Sequence, residues 1–523
     1  MSSVDVGSKA GRREWIALAV LCLPTMLAAV DINVMFLALP GVAADLGAGS
    51  TQQLWIMDIY GFMITGFLVT MGTLGDRVGR RKVLLVGAAA FLLASLLAAY
   101  STSTAMLIGS RALLGVAGAA VTPTVLALIR TMFKDPKQMS AAMGVWGTSL
   151  VAGLVLGPVV GGLLLGAFWW GSIFLMAVPI MGVLLIIGPF LVPEAKNPEA
   201  GKLDLVSVAL SLLALLPLIY GLKEIGRTGW HVLPIVSAVA GVAFLTLFLR
   251  RQRSLASPLL DLSMFKIRAL STSALLALLS PLIAGGTTLM AILYMQLVKG
   301  LTPLQVGVWM LAPSIALIMA GGIASGVIRK VRPGIVLAVG ALLATIGMLV
   351  VSQVDVDSSM RTLIIGLVVA SVGGGVIGIL SATLIMSSAP PEKAGSAGSL
   401  SATLGEFGTA LGVALLGLIG TVVYRTQVSV PAEISGDSAT VARESIAGAV
   451  NTAAQTSGEA GSALIEAAQE AFTTGLNIVA IVAAVFFAGL AVLALTGLRD
   501  VPASGDVPAP GESAALAPAE VVN

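Results

Sequence analysis

Gly72-Thr73-Leu74-Gly75-Asp76-Arg77-Val78-Gly79-Arg80-Arg81-Lys82 places five charges within eleven residues. Residues 52–74 before it and 83–101 after it are almost wholly apolar. A bilayer-spanning helix needs about 20 apolar residues. This stretch therefore reads as a tight charged turn between two membrane spans. The whole chain agrees: of 523 residues, 57% are hydrophobic and 11% charged, where soluble domains carry roughly 25% charged residues. No soluble core hides that much apolar surface, so lipid covers it. The 60 glycines fit, because small residues let helices approach closely in lipid.

Working outward from that turn, the hydropathy pattern predicts fourteen spans, the first at 15–40 and the last at 474–497. Residues 1–14 precede them. A first half occupies 15–192, two inserted helices occupy 203–251, and a second half occupies 269–497. Within that second half, residues 425–473 read as a long loop of two amphipathic helices joined near Gly458. Residues 498–523, rich in Pro, Ala and Gly, read as a disordered tail. Of 29 Lys and Arg, 22 fall in loops on the N-terminal side. The positive-inside rule then places both termini in the cytoplasm. The first run carries Asp31 and is too long for a signal peptide, so it is read as an uncleaved span.

Other classes are disfavoured. The single cysteine, Cys22, excludes an internal disulfide and a cysteine metal site, and the single His231 reads as interfacial. No metal, cofactor or enzymatic chemistry is expected. A net charge of +3, spread over membrane-flanking loops, does not suggest nucleic acid. The sequence contains no GxxxxGK[ST] phosphate loop, so ATP drive is not expected.

The stretch Gly321–Pro333 reads as a degraded copy of 72–82 that lacks the Asp, which makes the two six-helix halves repeats of each other. The turn at 72–82 resembles the signature loop of the major facilitator superfamily. Leu107–Gly118, with Arg111, resembles its span-four arginine motif. Gly153, Gly157, Pro158, Gly161 and Gly162 resemble its span-five antiporter motif. Asp31–Pro40 resembles the span-one motif of its fourteen-span drug:proton antiporters. Leu54–Tyr60 and the long loop before the last span resemble the branch of QacA-, SmvA- and LfrA-like multidrug efflux pumps. The resemblance implies an all-α membrane fold of two six-helix halves plus two inserted helices. It also implies an antiporter that exports small cationic drugs (quaternary ammonium compounds, dyes, fluoroquinolones) against protons across a bacterial cytoplasmic membrane. A monomer in lipid, without nucleic acid partners, is expected. An exporter of a single antibiotic and a proton-coupled uptake symporter are the alternatives.

The residues support this chemistry separately. Of 26 Asp and Glu, only Asp31, Asp58 and Glu406 fall within predicted spans, and intramembrane ionisable groups mark function by default. Desolvation disfavours a charged carboxylate, so a carboxyl in a dry cavity holds a proton more readily than in water. Such a group exchanges a proton for an organic cation. Arg111 is the one base inside a span and is expected to pair with an acid. Gly72, Gly75, Asp76, Arg77, Gly79, Arg80 and Arg81 form a candidate conformational latch, against the simpler reading that the bases only set topology. Gly153, Gly157 and Gly161 share a helix face suited to tight packing, and Pro158 bends that helix. Asn33, Trp55, Tyr60, Trp146, Tyr294, Gln296, Trp309 and Met310 are candidate cavity lining, since aromatic faces attract cations and Met adapts to varied shapes. Packing is the plainer reading of each.

Overall fold

The computed structural model describes residues 10–196, 204–228, 231–255, 264–388, 394–456 and 458–502. Among these there is helix and no strand. A helix satisfies every backbone polar group within its own segment, which is what a chain in hydrocarbon requires.

The first half contains α1 (Arg12–Leu46), α2 (Ser50–Val78), α3 (Arg80–Ala99), α4 (Thr104–Met132) and α5 (Pro136–Ala167), then one span broken into α6 (Ser172–Leu175) and α7 (Ala177–Leu191). The insert is α8 (Leu205–Thr228) and α9 (Val232–Ser254). The second half contains α10 (Arg268–Leu293), α11 (Pro303–Val327), α12 (Pro333–Val351), α13 (Met360–Ser388) and α14 (Ala394–Gln427), then α15 (Gly436–Glu444), α16 (Ile446–Gln455) and α17 (Glu459–Gly497). Starts are encoded locally. Ser103 and Asp135 accept hydrogen bonds from Met106 N and Gln138 N at the heads of α4 and α5. Pro303 and Pro333 open α11 and α12, where a missing N–H costs nothing.

Among the described residues, twelve helices are long and apolar enough to cross a membrane, or thirteen if α2, bent by 48° between Leu68 and Thr70, is one span. Hydropathy predicts fourteen. Of α8, the stretch that enters this count is Leu205–Gly221, since the side chains of Leu222 and Lys223 lie outside the described residues. The segment read as a second amphipathic loop helix is instead the start of α17, one continuous helix of 39 residues. Residues 1–9 and 503–523 lie outside the described residues.

The packing pattern repeats. In the first half α1 packs on α5, α2 on α4, α3 on α4 and α3 on α7; in the second α10 packs on α14, α11 on α13, α12 on α13 and α12 on α17. The halves meet along two seams, α5 with α11 and α2 with α14. Under the repeat these seams exchange with each other, as an approximate two-fold demands. The insert breaks the symmetry. Leu216 and Ile219 of α8 pack with Phe62 of α2 and with Phe407, Ala410 and Ala414 of α14, so α8 covers one seam.

At the near side, where α1 begins, Arg251 holds Asp204 with two nitrogens, Nη2 to Oδ1 at 2.9 Å and Nε to Oδ2 at 3.2 Å. These bonds push the Asp204 carboxyl down to about 2. A depressed carboxylate stabilises above its ordinary value and loses that contribution only as pH falls towards the lowered one. The α8–α9 clasp therefore stays intact at any physiological pH.

Candidate functional site

Arg111, on α4, is 1% exposed. Its Nη1 donates to Asp31 Oδ2 of α1 at 2.9 Å, and its Nε donates to the Ile56 carbonyl of α2 at 3.1 Å. The guanidinium carbon lies 4.7 Å from the centre of the Tyr60 ring. Three helices of the first half thus converge on one buried cation. Asp31, itself 8% exposed, is engaged in an ion pair. A buried pair of this kind is costly to break, because the survivor becomes an uncompensated charge.

Beside this pair lies a cavity of about 30 Å³ on the α2–α14 seam. Asp58, Tyr60 and Arg111 line it from the first half, and Glu406 and Thr409 line it from α14. Asp58 is 1% exposed. The Tyr60 hydroxyl is buried and has no hydrogen-bond partner among the described residues. A space of this volume takes one or two waters, and it is too small for a drug-sized cation. Acids from both halves therefore meet at a site of proton and water dimensions, with Asp31 joined to it through Arg111.

The 72–82 turn is held from below. Asp76 Oδ1 accepts from Arg80 Nε at 2.8 Å, while Arg80 Nη1 donates to Ala127 O and Thr131 Oγ1 of α4, each at 3.1 Å. Arg81 donates its backbone N–H to Glu194 Oε1 at 3.1 Å and its Nη1 to Pro189 O. Gly79 has φ 127°, and a Cβ there would lie 2.6 Å from the Glu194 carboxylate. Gly72 and Gly75 back onto Pro123 and Thr124 of α4, and Arg77 is exposed. None of these partners lies in the second half. Glu194, 113 residues from Arg81, carries no sequence signal that would reveal this role.

The span-five glycines serve two interfaces. A Cβ on Gly153 would lie 2.5 Å from Met26 O, and one on Gly161 would lie 2.9 Å from Val34, so both serve the α1–α5 contact. Gly162 faces Leu304 of α11, where a Cβ would lie 2.5 Å from its Cα. Gly307 of α11 in turn lies against the Pro158 carbonyl, so the antiporter-like stretch forms the far end of the α5–α11 seam. Gly157 is buried.

The lining candidates disperse. Tyr60 reaches the cavity. Gln296, in a π-helical turn (Tyr294–Val298), donates to Leu37 O of α1 and ties the halves at the far side. Tyr294 donates to Asp355 O, which anchors the end of α10 within the second half and away from the cavity. Trp146 donates to Thr25 Oγ1 across the α1–α5 contact. Trp309 is 37% exposed, Met310 is buried and Trp55 half-buried. The Asn33 side chain lies outside the described residues.

Residues after α14 cover the far side. A second cavity, of about 50 Å³, is lined by Leu39 and Gln53 of the first half, by Leu293 and Tyr424 of the second, and by Glu444 and Ile446. Tyr424 donates to Ala442 O at 2.8 Å. Replacing residues 428–458 with a short Gly/Ser linker, which leaves α17 whole, is expected to change transport rate while melting temperature is largely kept. Unaltered kinetics would reduce this segment to decoration.

A bundle of repeated helices with its buried charges gathered where the halves meet is the architecture of a membrane transporter. Residues 21–413 match the family model described as Major Facilitator Superfamily. The chain belongs to that superfamily; its members are transporters and not enzymes. The chain is 38% identical over 486 residues to the multidrug efflux pump LfrA of Mycolicibacterium smegmatis, covering 93% of this chain and 96% of that one. It is 31% identical to the methyl viologen resistance protein SmvA of Salmonella typhimurium, covering 88% and 93%. It is 32% identical to the tetracenomycin C resistance and export protein of Streptomyces glaucescens, covering 78% and 76%. Among solved structures it resembles a bacterial homologue of the human lysosomal transporter Spinster in an inward-facing, unoccupied conformation. That match has TM-score 0.67 and 14% identity and covers 94% and 99% of the two chains, a likeness of fold alone.

Proposed function

We propose that this protein exports lipophilic organic cations across a bacterial cytoplasmic membrane in exchange for protons, with both termini in the cytoplasm. The observation that carries the reading is the meeting of Asp58, Glu406 and Arg111 in one small cavity on the seam between the halves. A proton placed there neutralises an acid where two moving bodies touch, so its arrival and departure bias the seam. Glu406 is the acid that the second half contributes to this cavity, and Asp31 answers to the same Arg111. Desolvation makes an uncompensated charge at such a place expensive, which couples closing of the seam to neutralisation. The contacts between halves named above lie at the cavity or towards the far side, as in a pump open towards the cytoplasm. The relatives bearing names of efflux and resistance support export of drugs.

The test is dye efflux in inverted vesicles with and without an imposed pH gradient. The wild-type protein is expected to move ethidium against its gradient only when protons are supplied. Glu406→Gln is expected to drop gradient-driven transport to the level of empty vesicles while dye-for-dye exchange continues. Loss of both activities together would make Glu406 a substrate ligand instead. A second reading, export of one antibiotic for self-resistance, is favoured by relatives such as the tetracenomycin C exporter. A broad panel of cations and antibiotics separates the two.

A further inference from the structure

On the outer flank of the first half, α2, α3 and α4 enclose a groove of about 490 Å³, far larger than either cavity on the seams. Its walls include Val86, Ala90 and Leu93 of α3 and Leu113 and Val116 of α4. Val86 is 70% exposed and Leu93 61%, so this apolar surface faces outward. The one charged residue lining it is Lys82, at its near-side end. Lys82 is exposed and makes no ion pair among the described residues, whereas its neighbours Arg80 and Arg81 are spoken for by Asp76 and Glu194.

We propose that this groove holds one acyl chain of an anionic phospholipid from the near-side leaflet, with the headgroup phosphate on Lys82. Shape, reach and charge each bear on the occupant. Packed helices ordinarily offer lipid a convex, ridged surface, whereas this one is concave and walled on both sides. From Lys82 to Leu97 the groove follows 15 residues of helix, about 22 Å, against a hydrocarbon core of about 30 Å. A chain entering at Lys82 thus runs along apolar side chains for its whole length. A lipophilic cation would meet the same apolar wall, but Lys82 would repel it, and no acid lines the groove to offset that. An anionic headgroup gains where the cation loses, since a basic residue near an anionic lipid surface is worth about fivefold in affinity.

The experiment is native mass spectrometry of the full-length protein purified in mild detergent, with phosphatidylglycerol or phosphatidylcholine of matched chains added. One phosphatidylglycerol per chain is expected to be retained, preferred over phosphatidylcholine by about fivefold, and Lys82→Gln is expected to erase the preference. Ala90 is exposed in the groove, so Ala90→Phe fills the space without entering the core. Loss of the retained lipid is expected from it and from Val116→Phe on the opposite wall, at unchanged melting temperature. Retention equal to wild type in both filled variants would overturn the proposal, as would a preference that survives Lys82→Gln. So would displacement of phosphatidylglycerol by tetraphenylphosphonium whose binding vanishes in Ala90→Phe, an outcome that makes the groove a substrate subsite.

Discussion

Asp31→Asn is expected to abolish gradient-driven efflux and also to lower the melting temperature of the purified protein. The second effect follows from Arg111, which would keep its bond to Ile56 O and its stacking on Tyr60 but lose the carboxylate it is paired with. Removing one member of a buried pair costs about 3–5 kcal/mol, most of it the penalty of the orphaned charge. The double variant Asp31→Asn/Arg111→Gln removes that charge as well. Its melting temperature should recover most of the loss, while transport stays absent. Recovery of efflux in the double variant would show that Asp31 serves only to neutralise Arg111. Near-normal efflux by well-folded Asp31→Asn alone would sink the assignment altogether.

The second large effect is expected at the far end of the α5–α11 seam. A side chain on Gly307 would collide with the Pro158 carbonyl, a backbone atom that gives way only if the helices part. Overpacking of this sort costs about 1–3 kcal/mol, which shifts a two-state closure by roughly 5- to 150-fold. Gly307→Val should therefore raise far-side accessibility of a cysteine placed nearby and cut transport in proportion. Gly322, on the same helix, has no other atom within 4 Å of a built Cβ. Gly322→Val is the matched control and should transport normally. Equal impairment in both would point to helix propensity and away from the seam.

These two sites show how far the residues alone lead. Intramembrane charges are rare enough that hydropathy by itself singles out Asp31, Asp58, Glu406 and Arg111. What pairs with what is not readable, because Asp31 and Arg111 are 80 positions apart and only the crossing of α1 and α4 joins them. The glycine spacing of span five announces close packing but not its object, and Gly161 and Gly162, adjacent in the chain, turn to different helices. Tyr294 fits the plainer packing reading. An aromatic near the end of a span is as well suited to anchoring a loop carbonyl as to lining a cavity, and periodicity is blind to the difference. Glu194 is invisible because its role depends on where a distant turn happens to rest.

The 39-residue length of α17 has a mechanical meaning. About 20 residues suffice to cross a bilayer, so the helix stands some distance clear of the membrane, a stiff mast whose root is the last span. Tyr424 moors the segment below it to α14 through Ala442. At both ends, then, this far-side cap belongs to the second half, and Glu444 and the α16 helix after it rest on the first, beside Gly49, Gln53 and α1. If the halves tilt apart there, the cap must travel with one of them, and the parting line runs between Glu444 and α16 on one side and the head of α2 and end of α1 on the other.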